Sequence, residues 1–112
     1  MTTASTLTFV DDVTALVAVQ AESTVSRVVL REAGARVVLF AFDAGQELTE
    51  HTAAVPVLLQ VLSGRLTVSA GGRTVDLRPG GLVHLTAHLP HAVVAHEPTV
   101  LQLILLQAVD GG

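Results

Sequence analysis

The sequence predicts an all-β fold, a sandwich or barrel built by one domain, and two observations support this prediction. About nine short apolar or alternating segments follow one another, each ended by glycine, proline or a small polar turn, which is typical of such folds. The chain has 112 residues with no repeat, linker or change in composition, so we expect a single domain over residues 1–112. Residues 1–6 and 110–112 are expected to fray.

The composition excludes several classes of function. The formal net charge is −4, and there is no Trp or Tyr, so the chain lacks a basic patch and stacking side chains for nucleic acid. It has no cysteine, which excludes disulfides, thiolate metal sites and cysteine nucleophiles. Neither a P-loop nor a dinucleotide fingerprint is present, so no nucleotide cofactor is predicted.

The sequence also predicts that the protein has no membrane partner. Its apolar runs are much shorter than the roughly 20 residues that span a bilayer. The N-terminus lacks the basic start and the long apolar core of a signal peptide. A cytoplasmic location is therefore the expectation.

The chain is apolar for its size, with 50% hydrophobic residues and a mean hydropathy of +0.61. A domain this small has a limited interior, so some apolar area should face a partner subunit. The segments 36–42 and 99–109 are apolar on both faces. We therefore predict a homodimer.

The N-terminal part predicts a short strand over residues 7–10 and then one short helix. The acidic pair Asp11 and Asp12 precedes residues 13–17, whose apolar side chains have helical spacing. Acidic residues favour the start of a helix, although Val and Thr are poor helix formers.

The rest of the chain predicts strands separated by turn residues. Residues 35–43 are apolar on both faces and should form a central or interface strand. Gly71 and Gly72 indicate a tight hairpin. The predicted strands are residues 25–31, 35–43, 46–52, 57–62, 65–70, 73–77, 82–86, 91–96 and 99–109.

Two segments resemble the paired motifs of the cupin family. In the first, five residues separate Gly45 from His51 and six separate Val57 from Gly64; the second runs from Gly81 to His91. The 16 residues between them, 65–80, hold one hairpin, similar to the short linker of small single-domain cupins. The resemblance covers residues 36–107 and implies a jelly-roll barrel, two sheets folded around a cavity.

The resemblance also implies which residues stand at the metal positions of metal-binding cupins. Those proteins hold a divalent metal with two His and one Glu of the first motif and one His of the second. His51 and His91 match the first and the last ligand, but Ala53 and Val57 stand where the second His and the Glu belong. A metal usually takes three or more protein ligands, so zinc, iron, manganese or nickel is expected to bind weakly or not at all.

The remaining polar groups leave alternatives open. His88 lies three residues before His91 and is either a third metal ligand, if the loop bends, or an exposed loop residue. His51 and His91 either contact a ligand or metal in the cavity or are only hydrogen-bonded. Glu47 shares the predicted face of His51, but at roughly 13 Å along the strand it is too far for one shared ion.

Three functions are compatible with these residues. The first is binding of a small, largely apolar molecule in the cavity. The second is a metal-dependent enzyme of the dioxygenase or isomerase type, with His51, His91 and His88 around an open coordination position; no other catalytic residue is predicted. The third is a dimeric interaction or structural barrel. The predicted cavity is lined by His51, Ala53, Val57, Leu59, Val61, His91 and Phe40.

One further cluster is basic. Arg65, Arg73 and Arg78 surround the hairpin between the two motifs, and Asp76 lies among them. The cluster could meet an anion, but a solvated hairpin balanced by Asp76 is the simpler interpretation.

Overall fold

The computed structural model describes residues 5–107. Within them lie nine strands and a 3-10 turn at Val13–Leu16. The strands are β1 Thr24–Glu32, β2 Ala35–Phe42, β3 Glu47–His51, β4 Val57–Ser63, β5 Leu66–Ala70, β6 Arg73–Leu77, β7 Val83–Leu85, β8 His91–Ala95 and β9 Thr99–Leu106. Each follows a predicted strand to within a few residues, and the all-β prediction is confirmed.

The N-terminal part differs from the prediction. Residues 7–10 form no strand, and Leu7 and Phe9 are 87% and 74% exposed, so the strand predicted there is wrong. The predicted helix is only the 3-10 turn, which starts where the Asp12 carboxylate accepts a hydrogen bond from the Thr14 backbone N–H at 3.0 Å. Val and Thr add too little helical propensity to extend that turn without packing.

Both chain ends reach beyond the described residues. The predicted fraying concerns residues 1–6, of which 1–4 lie outside the description, and residues 110–112, which lie outside it entirely. The last predicted strand ran to residue 109; β9 ends at Leu106, and residues 108–109 also lie outside the description.

The strands form two antiparallel sheets that pack as a jelly-roll sandwich. The five-stranded sheet has the order β1-β2-β9-β4-β7 and the four-stranded sheet the order β3-β8-β5-β6. Strands distant in sequence, such as β3 and β8 or β2 and β9, are hydrogen-bonded neighbours. The chain therefore folds back on itself in nested pairs, as the jelly-roll prediction required.

The core lies between the two sheets and follows from the two-residue period of a strand. On β4, Val57, Leu59 and Val61 are 1%, 1% and 2% exposed, while the residues between them are half-buried. They pack with inward residues of the opposite sheet, such as Val68 and Val93.

Two backbone contacts fix the end of the sandwich where the two sequence motifs meet. In the β3–β8 pair, His51 and His91 are direct partners, after an irregularity between Leu48 and His51. The loop between β3 and β4 in the first motif is joined to the loop between β7 and β8 in the second by one hydrogen bond, in which the His88 backbone N–H donates to the Ala53 carbonyl at 2.7 Å. Within residues 5–107, no helix is long and apolar enough to cross a membrane.

Candidate functional site

The two histidines predicted from the motifs lie side by side. Partners in an antiparallel pair project from the same face of the sheet, and the ring centroids of His51 and His91 are 4.3 Å apart with a 60° angle between the ring planes. His91 is 3% exposed, whereas His51 is exposed. One imidazole is thus held inside the protein and the other stands at the opening.

Backbone carbonyls fix the orientation of both rings in the same way. Nδ1 of His51 lies 2.8 Å from the Thr49 carbonyl oxygen, and Nδ1 of His91 lies 2.9 Å from that of Leu89. A carbonyl only accepts hydrogen bonds, so each Nδ1 must carry the proton and donate it. In each neutral imidazole Nε2 then keeps its lone pair, and the site offers two adjacent acceptors.

The two rings line a cavity of about 440 Å³ between the ends of the sheets. This volume is within the range of roughly 300–1,000 Å³ that small-molecule sites occupy. Apart from the histidines, its walls are mainly apolar. They are formed by Arg36, Val38, Phe40, Thr52, Ala53, Ala54, Val55, Val57, Leu103 and Leu105.

The cavity contains five of the seven predicted lining residues. His51, Ala53, Val57, His91 and Phe40 line it, but Leu59 and Val61 do not. Leu59 and Val61 are buried in the packed core farther along β4, because the opposite sheet covers the strand beyond Val57.

The structure does not place His88 beside the other two histidines as a third donor. It is exposed, has a left-handed backbone conformation with φ of 68°, and donates its backbone N–H to the Ala53 carbonyl of the first motif. Across residues 5–107, no three His, Cys, Asp or Glu side chains converge closely enough to hold a metal ion.

Sequence analysis missed Arg36 as a lining residue. The two-residue period of β2 places Arg36, Val38 and Phe40 on one face, so the alternation that selected Phe40 could have selected Arg36. It is exposed, and among the described residues no carboxylate lies within ion-pair distance of it. Its guanidinium adds a positive charge at the edge of the cavity.

The comparison that decides the family is the match of a family profile described as "Cupin domain" to residues 38–106. The chain belongs to the cupin family. The resemblance seen in the motifs is thereby confirmed, and the cavity beside His51 and His91 is the cavity of a cupin barrel. No curated protein matches the chain.

Solved structures share the cupin fold. A cupin 2 conserved barrel domain protein from Leptotrichia buccalis is 27% identical over 85% of this chain and 46% of its own, with a TM-score of 0.79. A cupin superfamily protein from Desulfitobacterium hafniense is 20% identical over 86% of this chain and 88% of its own, with a TM-score of 0.79. A protein from Ralstonia eutropha proposed to be a mannose-6-phosphate isomerase is 23% identical over 90% of this chain and 100% of its own, with a TM-score of 0.75.

The donor set of this cupin does not fit the metal site that metal-binding members of the family use. Ala53 and Val57 offer no metal-binding atom, and the two imidazoles provide half of the four ligands. Two nitrogens are fewer than a stable protein metal site usually needs. The metal-dependent enzyme therefore stays a prediction from sequence.

Proposed function

We propose that this cupin binds a small, largely apolar molecule that carries one hydrogen-bond donor, such as a hydroxyl group. The observation that supports the proposal is the common orientation of His51 and His91, whose Nδ1 atoms are both held by backbone carbonyls. Two lone-pair nitrogens therefore stand together at an apolar cavity. A ligand with a hydrogen-bond donor at one end and an apolar body matches both the acceptor nitrogens and the apolar walls.

The apolar walls provide most of the affinity and the histidines provide the selectivity. Drug-sized ligands gain about 0.3 kcal/mol per heavy atom, so a ligand of about 15 atoms would bind with roughly 4.5 kcal/mol, a Kd of about 0.5 mM. A hydrogen bond to a neutral imidazole adds about 1 kcal/mol. Arg36 at the edge disfavours a cationic ligand by charge repulsion.

The test compares two ligands that differ by one hydroxyl group, 4-propylphenol and propylbenzene, by NMR titration of isotope-labelled protein. Both should shift the signals of Phe40, Ala53 and Val57, and the phenol should bind about fivefold more tightly because only it donates a hydrogen bond. In the His51→Phe variant, which keeps an aromatic ring of similar size, that preference should decrease, because only the acceptor of the buried His91 remains.

The control is His96→Phe, because His96 is exposed and hydrogen-bonds Thr67 outside this cavity, at 3.3 Å. That variant should keep the preference for the phenol. The proposal would be refuted if the saturable chemical-shift changes occurred only at residues outside the cavity. It would also be refuted if the wild-type protein bound both ligands with equal affinity.

A further inference from the structure

A second cavity opens on a different side of the sandwich. The five-stranded sheet ends at β7 and the four-stranded sheet ends at β6, and the two edge strands are not paired with each other. A cavity of about 480 Å³ lies at this open edge. None of its lining residues lines the histidine cavity.

The inner wall of this edge cavity is apolar and reaches the core. Val68, Leu77 and Leu85 line it and are 2%, 3% and 5% exposed. Leu82 stands at its mouth and is 63% exposed. An apolar ligand entering here would cover a large exposed side chain and touch the core, and removing that apolar surface from water favours binding.

Three polar residues border the same cavity: Arg73, Asp76 and His84. Strand alternation places Arg73 on the inward face of β6 with Val75 and Leu77, and Asp76 on the opposite face. The Asp76 carboxylate is already engaged, since Arg65 Nη1 lies 3.4 Å and Arg78 Nε 3.2 Å from its oxygens. Within residues 5–107, Arg73 has no carboxylate at ion-pair distance.

The local charge is therefore positive. Three guanidinium groups stand against two carboxylates, Asp76 and Glu50, and Glu50 lines a neighbouring groove together with Arg73. One positive charge remains around the β5–β6 hairpin, in a chain whose formal net charge is −4. The basic cluster seen in the sequence is balanced only in part by Asp76. An exposed positive field beside an apolar cavity selects anions that also have an apolar body.

We propose that the edge cavity is a second ligand site, for a small amphipathic carboxylate. The apolar body lies between the ends of the two sheets, against Leu77, Leu85 and Leu82. The carboxylate pairs with the guanidinium of Arg73, which shares the inward face of β6 with Val75 and Leu77. The two cavities share no lining residue, although Leu89, which lines the edge cavity, also holds Nδ1 of His91 through its backbone carbonyl.

The test uses three probes with one alkyl chain and different head groups: octanoate, octan-1-ol and octylammonium. Each is titrated into isotope-labelled protein, and the shifts of Leu77, Leu82, Val83 and the Arg73 side chain are followed. We expect octanoate to bind about fivefold more tightly than octan-1-ol, the effect of an exposed charge pair. Octylammonium should bind more weakly than either, and added salt should weaken octanoate alone.

The matched variants are Arg73→Gln and Arg31→Gln, which remove the same charge at two exposed positions. Arg31 does not line the edge cavity. The first variant should abolish the preference for octanoate over octan-1-ol, and the second should preserve it. The NMR chemical shifts of the two variants without ligand check that both keep the wild-type fold.

Two results would overturn the edge site: octanoate shifts confined to the His51 and His91 cavity, or an octanoate preference that survives in Arg73→Gln. Neither result depends on whether the phenol binds between the two histidines. The edge site and the proposed function can therefore fail separately.

Discussion

Asp43, the residue after β2, holds the turn that precedes β1. Its carboxylate accepts hydrogen bonds from the backbone N–H of Glu22 at 2.7 Å and of Ala44 at 2.9 Å. Glu22 needs this support because it has a left-handed conformation, with φ of 55°, which is uncommon for a residue other than glycine. Two backbone donors favour the ionised carboxylate, and the bond from Glu22 is the larger cause of a lowered pKa of Asp43, below its ordinary value of 3.8.

The lowered pKa sets the pH range in which Asp43 stabilises the fold. The carboxylate binds protons less readily in the folded chain, so its contribution is present above the unfolded pKa and is lost as pH falls through the folded pKa. We expect Asp43→Asn to lower the free energy of unfolding at neutral pH, with a smaller difference from wild type in acid. Carbon-detected NMR titration of the carboxyl group measures the pKa directly, and a value at or above 3.8 would contradict the account.

At the same scale, the sequence identified His51 and His91 but not what orients them. The motif spacing selects the residue type, whereas the partners of Nδ1 are main-chain carbonyls of Thr49 and Leu89. Every residue has a carbonyl, so no side-chain pattern marks the ones that the rings reach. Arg36 was predictable from strand alternation, because it shares a face of β2 with Val38 and Phe40. An arginine in a strand usually indicates a solvated position, so its type alone did not point to the cavity.

At the scale of an element, the turn from β4 to β5 depends on Gly64. Its φ is +88°, and a Cβ added there would lie 2.7 Å from the Cα of Thr99. Thr99 is fully buried, and its hydroxyl accepts a hydrogen bond from the Arg65 backbone N–H at 3.0 Å. The crossing between the two sheets therefore has no space for a side chain.

We expect Gly64→Ala to lower the free energy of unfolding by at least about 2 kcal/mol, since left-handed strain and a backbone clash add together. The control is Gly72→Ala, where φ is +72° but nothing lies within 4 Å of the added Cβ; it should lose only the strain, about 1 kcal/mol. Urea unfolding followed by circular dichroism measures both losses. Equal losses would show that the contact with Thr99 has no effect.

The elements themselves were mostly predictable, because strand alternation and turn glycines mark the nine strands directly. The error at residues 7–10 has a clear cause. An apolar run forms a strand only if another strand pairs with it, and the sequence does not show which segments pair. Leu59 and Val61 were assigned to the cavity for a similar reason. Alternation places them inside the sandwich but does not reveal how far along β4 the opposite sheet covers the strand.

At the scale of the molecule, the outer face of the five-stranded sheet is a candidate dimer surface. Leu30, Val37, Ile104 and Leu58 are successive register partners across β1, β2, β9 and β4. Leu58 alternates with the buried Val57 and Leu59, so the row lies on the face away from the core. A half-buried apolar row across four strands is what a second copy would cover.

We therefore expect the wild-type protein to scatter light as a dimer of the 11.6 kDa chain. Ile104→Lys places a charge in the middle of the row and should shift the mass towards the monomer, whereas Leu82→Lys, on an already exposed side chain, should not. A wild-type monomer at working concentration would remove the basis for this surface.

The pairing of His51 with His91 has a further consequence. The two residues are 40 positions apart in the chain, and they become neighbours only when β3 and β8, two strands distant in sequence, have found each other. Contacts of such long range form late and cooperatively in folding. The proposed binding site is therefore a property of the completed fold, and a ligand bound there would stabilise the native state as a whole by mass action. A rise in melting temperature on adding a ligand would report both binding and complete folding in one measurement.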